Sequence, residues 1–124
     1  MVIAQNKPSE LLYKALPFSD YKILRDSCTQ LDVVFLSSAS GSLSVDGRSV
    51  SLFSSFVDSK AIAKKSNSSK DGFIMWQKNG REFVTGDIYF LSDSSGYLHF
   101  KKDGKDFYNL LTTQGATFLK SQKK

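Results

Sequence analysis

GFIMWQKNGREFV at residues 72–84 recurs 24 residues further on as GYLHFKKDGKDFY at residues 96–108. The two copies share an initial Gly, aromatic residues at matching positions, and an Asn-Gly or Asp-Gly pair between two cations. Asn-Gly and Asp-Gly accept the positive φ that both central residues of a type I′ turn require. The repeat therefore predicts two β-hairpins with two-residue turns.

The two-residue turns also predict the register of each hairpin, because residues at equal distances from the turn face each other. This register places Trp76 opposite Phe83, Met75 opposite Val84, and Phe100 opposite Phe107. Cross-strand aromatic pairs with aliphatic neighbours are typical of a buried sheet face. We therefore assign these aromatic pairs to the core and expect Trp76 to be buried.

LSVDGRSV at residues 43–50 is a fainter version of the same pattern, with Arg48 directly after the Gly. Apolar residues and serines alternate through 42–45 and 48–53, which is the period of a β-strand. These residues predict a third hairpin with one apolar face and one serine face. The serine face is open either to solvent or to a protein partner.

Residues 9–31 have the character of helix. Ser9 and Glu10 favour a short helix from Ser9 to Leu16, which Pro17 ends, and Ser19 favours the start of a second helix from Asp20 to Leu31. Apolar residues in the second segment recur at spacings of three and four, and Cys28 falls among them. We expect Cys28 to be a small buried side chain and not a nucleophile.

The whole chain predicts one α+β domain over residues 1–124, with an N-terminal helix or helices packed on a twisted antiparallel sheet built from β-hairpins. Its parts, in order, are a helical region 9–31, a β-hairpin region 32–57, a basic flexible loop 58–71, a repeated-hairpin meander 72–119 and a basic tail 120–124. Within the loop, residues 58–65 are expected to form a helical turn or two. Within the meander, Ser92 to Ser95 form a turn and Ala116 to Leu119 the last short strand.

The net charge of +5 lies entirely in the second half of the chain. Residues 1–57 carry five Lys or Arg and five Asp or Glu, whereas residues 58–124 carry twelve and seven. Basic asymmetry of this kind indicates an anionic partner, nucleic acid above all, although a solubilising surface has the same composition. The hairpin register adds that Lys78 faces Arg81 and Lys102 faces Lys105, so like charges oppose each other at both tips.

One sheet face of the second hairpin combines Tyr and His rings with lysine, and we expect Tyr97 and Tyr108 to be reachable by solvent. Rings that stack on bases and cations that contact phosphates are the usual means of binding single strands. The candidate nucleic-acid-binding residues are Lys64, Lys65, Lys78, Arg81, Tyr97, His99, Lys101, Lys102, Lys105 and Tyr108.

The sequence contains few of the residues and motifs that other classes of function require. With one His and one Cys there is almost nothing for a zinc site or for Ser-His or Cys-His catalysis, and no phosphate-binding glycine motif occurs. We therefore expect no enzyme activity, cofactor or metal. The lone cysteine and the N-terminus, which lacks an apolar signal segment, favour an intracellular protein, cytoplasmic or nuclear, and no run is apolar enough for a membrane span.

The sequence thus predicts a single-stranded nucleic-acid-binding protein that uses a basic, aromatic sheet surface. The alternative is a non-catalytic adaptor or inhibitor that binds a protein partner through a sheet face or edge. Self-association into a homodimer stays open. Salt dependence separates the two functions, because phosphate contacts weaken steeply with salt.

Overall fold

The structure is a computed structural model that describes residues 13–36 and 42–123. Over these residues the chain forms three helices and seven strands. In chain order they are α1 (Phe18–Asp26), β1 (Gln30–Phe35), β2 (Ser42–Asp46), α2 (Arg48–Ser54), β3 (Val57–Ala61), β4 (Gly72–Lys78), β5 (Arg81–Ser92), β6 (Ser95–Lys102), β7 (Lys105–Leu111) and α3 (Thr113–Gln122). The α+β class predicted from the sequence is confirmed.

The seven strands form one open antiparallel sheet in the order β2-β1-β4-β5-β6-β7-β3. Strands β4 to β7 are a meander of sequential neighbours, flanked by strands that precede them in the chain. Helices α1 and α3 pack on the sheet, and α2 contacts α1. Leu24 of α1, Val50 of α2 and Leu119 of α3 are buried with Trp76 in the main core under the helices.

Both repeated hairpins are present, with the predicted turns. The central residues have positive φ in each case, 55° at Asn79 and 78° at Gly80, then 54° at Asp103 and 77° at Gly104. Type I′ turns require this conformation, and their twist matches that of the flanking strands. In the second hairpin the pairing follows the predicted register along β6 and β7 without a break.

The first hairpin departs from the predicted register one step below its turn. Gln77 still pairs with Glu82, but Trp76 pairs with Val84 and Met75 with Thr85. The predicted pairs Trp76/Phe83 and Met75/Val84 are therefore wrong. A β-bulge at this point lets two residues, Phe83 and Val84, oppose one residue of the partner strand. Trp76 itself is fully buried, as predicted.

One serine hydroxyl joins both N-terminal helices to the sheet. The indole Nε1 of Trp76 donates a hydrogen bond of 2.9 Å to Ser54 Oγ in α2. The Ser54 hydroxyl in turn has two backbone carbonyls within donating distance, that of Val50 in α2 at 2.7 Å and that of Leu24 in α1 at 3.0 Å. Ser54 is 2% exposed and Trp76 is 0% exposed, so the only partners of these polar atoms are within the protein.

The third predicted hairpin does not form, because residues 48–54 are helix α2. Within the predicted strand Arg48–Phe53, the buried side chains are Val50 and Phe53. They are three residues apart, which is the spacing of residues on one side of a helix. Only Gly47 has positive φ here, whereas a type I′ turn would require it of the preceding residue as well. Strand β2 pairs with β1 instead.

The predicted last strand, Ala116 to Leu119, is also wrong, since these residues lie in α3. Thr112 caps this helix, because its hydroxyl accepts a hydrogen bond of 2.9 Å from the backbone N–H of Gly115. Gly115 sits tightly against the loop that precedes β3. A Cβ at this position would lie 2.4 Å from Phe56 Cβ, so the glycine allows α3 to approach.

Four further element predictions need correction. The helix predicted for Asp20–Leu31 is α1, which spans Phe18–Asp26, and Gln30 and Leu31 belong to β1. Residues 9–12 of the predicted first helix lie outside the described residues, and residues 13–17 are not helical. The helical turn predicted for 58–65 is wrong, because β3 extends to Ala61. The predicted basic tail, residues 120–124, largely coincides with the end of α3. The expectation that Cys28 is buried is confirmed.

Candidate nucleic-acid interface

The predicted site residues divide between the two faces of the sheet. Lys78 and Lys102 lie two positions beyond the core residues Trp76 and Phe100, so alternation directs them to the helix-bearing face. Arg81 and Lys105 pair directly with them and share that face. Both turns lie at the same end of the sheet, because β4 to β7 are sequential antiparallel neighbours. The structure thus brings the four cations together.

We call this end of the helix-bearing face the tip surface, made of Lys78, Arg81, Phe83, Lys102, Lys105 and Phe107. Arg81 and Lys105 are exposed, and Lys78 and Lys102 are half-buried. Among the described residues, Lys102 has Asp103 3.7 Å away, and the other three cations have no carboxylate within 4.0 Å. The tip surface is therefore strongly positive and largely uncompensated.

Two half-buried aromatic rings border these cations. Phe83 and Phe107 pack against the main core, and both residues are only half-buried. The Lys102 ammonium lies 4.7 Å from the centroid of the Phe83 ring, so this lysine connects the two hairpins. A cation over an aromatic face is an attractive arrangement. The tip surface consequently combines cations with rings, which is the composition expected of a single-strand binding site.

The sequence assigned Phe83 and Phe107 wholly to the core and so missed them as candidates. The signal available in the sequence was the alternation itself. Lys101 and Lys102 are adjacent in β6, so they must point to opposite faces, and Lys102 shares its face with the phenylalanines. No comparable signal in the sequence indicates the bulge that moves Phe83 away from Trp76.

On the opposite face of the sheet, Tyr97 and Tyr108 belong to a second, smaller cluster. We call it the rear cluster, made of Tyr13, Ile62, Tyr89, Tyr97, Tyr108 and Leu110. Tyr97 is 1% exposed and Tyr108 is 7% exposed, so the expectation that both are reachable by solvent is wrong. Burial raises the pKa of both phenols.

Two segments distant in sequence cover these tyrosines. The backbone N–H of Ser66 donates a hydrogen bond of 2.9 Å to the Tyr97 hydroxyl, and Ile62 packs beside the rings. The backbone N–H of Tyr108 donates to the carbonyl of Lys14 at 2.7 Å. Neither tyrosine offers an open face for a base in this conformation.

His99 lies at the open margin of the rear cluster. Its ring stacks on Tyr108, with centroids 4.5 Å apart, and its Nε2 lies 2.8 Å from Asp106 Oδ1. The hydrogen bond from His99 is the main cause that lowers the pKa of the Asp106 carboxyl. Lys101 Nζ is 3.9 Å from the same carboxylate, and Lys65 Nζ is 5.8 Å from the Tyr108 ring centroid. Asp106 thus offsets part of the positive charge on this face. Lys64, the remaining predicted site residue, is exposed in the segment that follows β3.

The single cysteine of the chain, Cys28, is buried. Burial raises the pKa of the Cys28 thiol to about 11, so this cysteine is protonated at neutral pH and not poised as a nucleophile. Within residues 13–36 and 42–123, no group of three or more His, Cys, Asp or Glu side chains is placed to hold a metal ion. No helix in these ranges is both long enough and apolar enough to cross a membrane.

A cavity of about 580 Å³ opens between α2 and α3. Its lining is Leu52, Phe53, Phe56 and Phe118, with Gln114, Thr117 and Ser121 along the α3 side. The sequence could not indicate this cavity, because both helices were predicted as strands.

Comparison of the chain with known proteins finds no matching family model, curated protein or solved structure.

Proposed function

We propose that this protein binds single-stranded nucleic acid at the tip surface. One observation carries the proposal: two type I′ turns at the same end of the sheet each place a pair of opposed cations on the same face. Like charges directly opposite one another are destabilising, and an anion between them removes that cost. Three of the four cations also lack a carboxylate partner among the described residues.

The spacing of the two pairs favours a chain of phosphates over a single small anion. The β4–β5 and β6–β7 pairs are separated by two strand spacings, or about 10 Å. A ligand that contacts both pairs must carry negative charge along its length, as a nucleic-acid backbone does. Phe83 and Phe107 add ring surface on which unpaired bases can stack, which favours a single strand over a duplex.

The proposal revises the set of residues expected from the sequence. Lys78, Arg81, Lys102 and Lys105 remain in the site, and the phenylalanines replace Tyr97 and Tyr108 as the stacking rings. Lys64, Lys65, Lys101 and His99 fall outside the tip surface. The function stays non-catalytic, with no cofactor required.

Fluorescence anisotropy with a labelled single-stranded oligonucleotide tests the proposal over a range of salt concentrations. Binding should be micromolar or tighter at low salt. Each phosphate contact contributes about −0.7 to the slope of log K against log salt for single strands. The variants Lys78→Gln/Arg81→Gln and Lys102→Gln/Lys105→Gln should each weaken binding and reduce the steepness of that slope by about 1.4.

The matched control is Lys65→Gln/Lys101→Gln, which removes the same charge from the opposite face. It should change the affinity much less than either tip variant. Equal weakening by the control and the tip variants would mean diffuse attraction without a site. Absence of wild-type binding at low salt would refute the proposed function.

A second candidate function, capture of a protein partner, is favoured by the free edge of the sheet. β2 pairs with β1 and with no other described strand, so one side of its backbone is open to an added strand. Ser42 and Ser44 on this strand are exposed. A pull-down with and without nuclease separates the two functions, since a protein partner is retained after nuclease treatment. Ser42→Lys/Ser44→Lys should abolish capture, because charged side chains on an edge strand oppose pairing.

A further inference from the structure

We propose that Phe83 is the platform on which a nucleobase stacks, and that Lys102 leaves the ring to contact phosphate when the base arrives. This inference rests on the proposed function and specifies its ligand, a strand whose bases are free to stack. It predicts that base-free polyanions, which offer only phosphates, bind the tip surface less tightly.

The bulge in β5 is the first observation behind this proposal. Phe83 and Phe107 occupy equivalent positions in the two repeats, yet only the first hairpin is bulged there. Phe107 therefore stays opposite Phe100, whereas Val84 takes the place opposite Trp76 and is 2% exposed. Bulges often redirect a side chain next to a functional site. Here the bulge releases Phe83 from its predicted pairing with Trp76, and Phe83 lies half-buried at the margin of the main core.

The position of Lys102 is the second observation. Its ammonium, 4.7 Å from the Phe83 centroid, comes from the neighbouring hairpin and covers the ring with a charged group. Lys102 is thus already beside the position of a stacked base. A cation over a half-buried ring at the surface margin is held more weakly than a base stacked on it, so the base can displace the ammonium. The displaced ammonium would then lie near Lys105, where the proposed function places phosphate.

Two ligands of the same length separate stacking from phosphate contact: a single-stranded oligonucleotide and its abasic counterpart. Wild-type protein should prefer the base-containing strand. Phe83→Leu keeps an apolar side chain but removes the ring, and it should weaken binding of the base-containing strand about 5- to 150-fold. Binding of the abasic strand and the salt slope should stay unchanged.

Phe90→Leu is the matched control, because Phe90 of β5 is also a half-buried ring under a lysine, with the Lys120 ammonium 5.2 Å from its centroid, but lies outside the tip surface. It should change binding of the base-containing strand much less than Phe83→Leu. Phe83→Tyr keeps the ring and should retain binding, and thermal melting checks that each variant is folded. The ε-methylene proton shifts of Lys102, displaced by the Phe83 ring current, should move toward free-lysine values with the base-containing strand only.

The outcomes also separate this inference from the proposed function. If wild-type protein binds neither strand, the proposed function fails. If it binds both strands equally, or if Phe83→Leu leaves the base-containing strand unaffected, the function holds and the stacking role of Phe83 is refuted. Equal weakening of both strands by Phe83→Leu, with Phe83→Tyr equally weak, refutes the stacking role as well.

Discussion

Replacing Ser54 by Ala should remove the hydroxyl that joins α1, α2 and the sheet. The Trp76 indole N–H, fully buried and 2.9 Å from Ser54 Oγ, would lose its acceptor. An unsatisfied buried donor costs about 1–3 kcal/mol, so we expect a loss of about 2 kcal/mol in the free energy of unfolding. With a urea m-value of about 1–3 kcal/mol/M, the midpoint should fall by about 1 M.

Urea denaturation followed by Trp76 fluorescence and by circular dichroism measures this change. Ser55→Ala is the control, because Ser55 directly follows α2, is exposed, and donates its hydroxyl to the Leu52 carbonyl of that helix. Away from buried contacts, such a change stays within about 0.5 kcal/mol. In a Trp76→Phe background, Ser54→Ala should cost less, so the double variant should lose less stability than the sum of the two single variants. If Ser54→Ala costs no more than Ser55→Ala, the reasoning about this buried hydroxyl is refuted.

Gly115→Ala should destabilise the protein by about 1–3 kcal/mol, because the added methyl would meet Phe56; an unchanged urea midpoint would contradict the close approach of α3. Cys28, whose thiol pKa is raised to about 11 by burial, should react with a thiol reagent at pH 8 only as fast as the protein opens. Rapid stoichiometric labelling of the native protein would contradict this. The lowered pKa of Asp106 stabilises the fold above the carboxyl's unfolded-state pKa, and this stability is lost as the pH falls through the folded-state pKa. Asp106→Asn should therefore reduce the acid-induced loss of stability, whereas an identical acid profile would show that the His99 hydrogen bond is absent in solution.

The hairpins could be predicted from sequence because a type I′ turn is decided by two adjacent residues. Asn79-Gly80 and Asp103-Gly104 specify positive φ locally, and no distant contact is needed to fix the first pairs of each ladder. The bulge below the first turn was not predictable, because either Phe83 or Val84 satisfies an apolar position opposite Trp76. Packing of the whole core decides between them.

Helices α2 and α3 were mistaken for strands for a different reason. Over six residues, alternating apolar and serine residues fit a strand, yet the same residues place Val50 and Phe53 on one side of a helix. Contacts with α1 and with the sheet then select the helix, and tertiary contacts of this kind override local preference.

Part of the candidate site, the cations at the hairpin tips, could be predicted from the sequence. The opposed cation pairs at the tips follow directly from the turns and are confirmed by the pairing of Lys78 with Arg81 and of Lys102 with Lys105. The burial of Tyr97 and Tyr108 depends on Ile62, Ser66 and residues 13–14, and contacts over such sequence distances cannot be derived from local pattern.

The strand order also has a consequence for synthesis on the ribosome. Strands β1 and β3 border the meander of β4 to β7, yet both are translated before it. β1 pairs with β4, with Leu31 opposite Trp76, and β3 pairs with β7, with Val57 opposite Leu111. Because translation proceeds at about 5–20 residues per second, the apolar side chains of the first half wait for seconds before their partners emerge. Nascent chains that stall before residue 111 should therefore be substrates for chaperones.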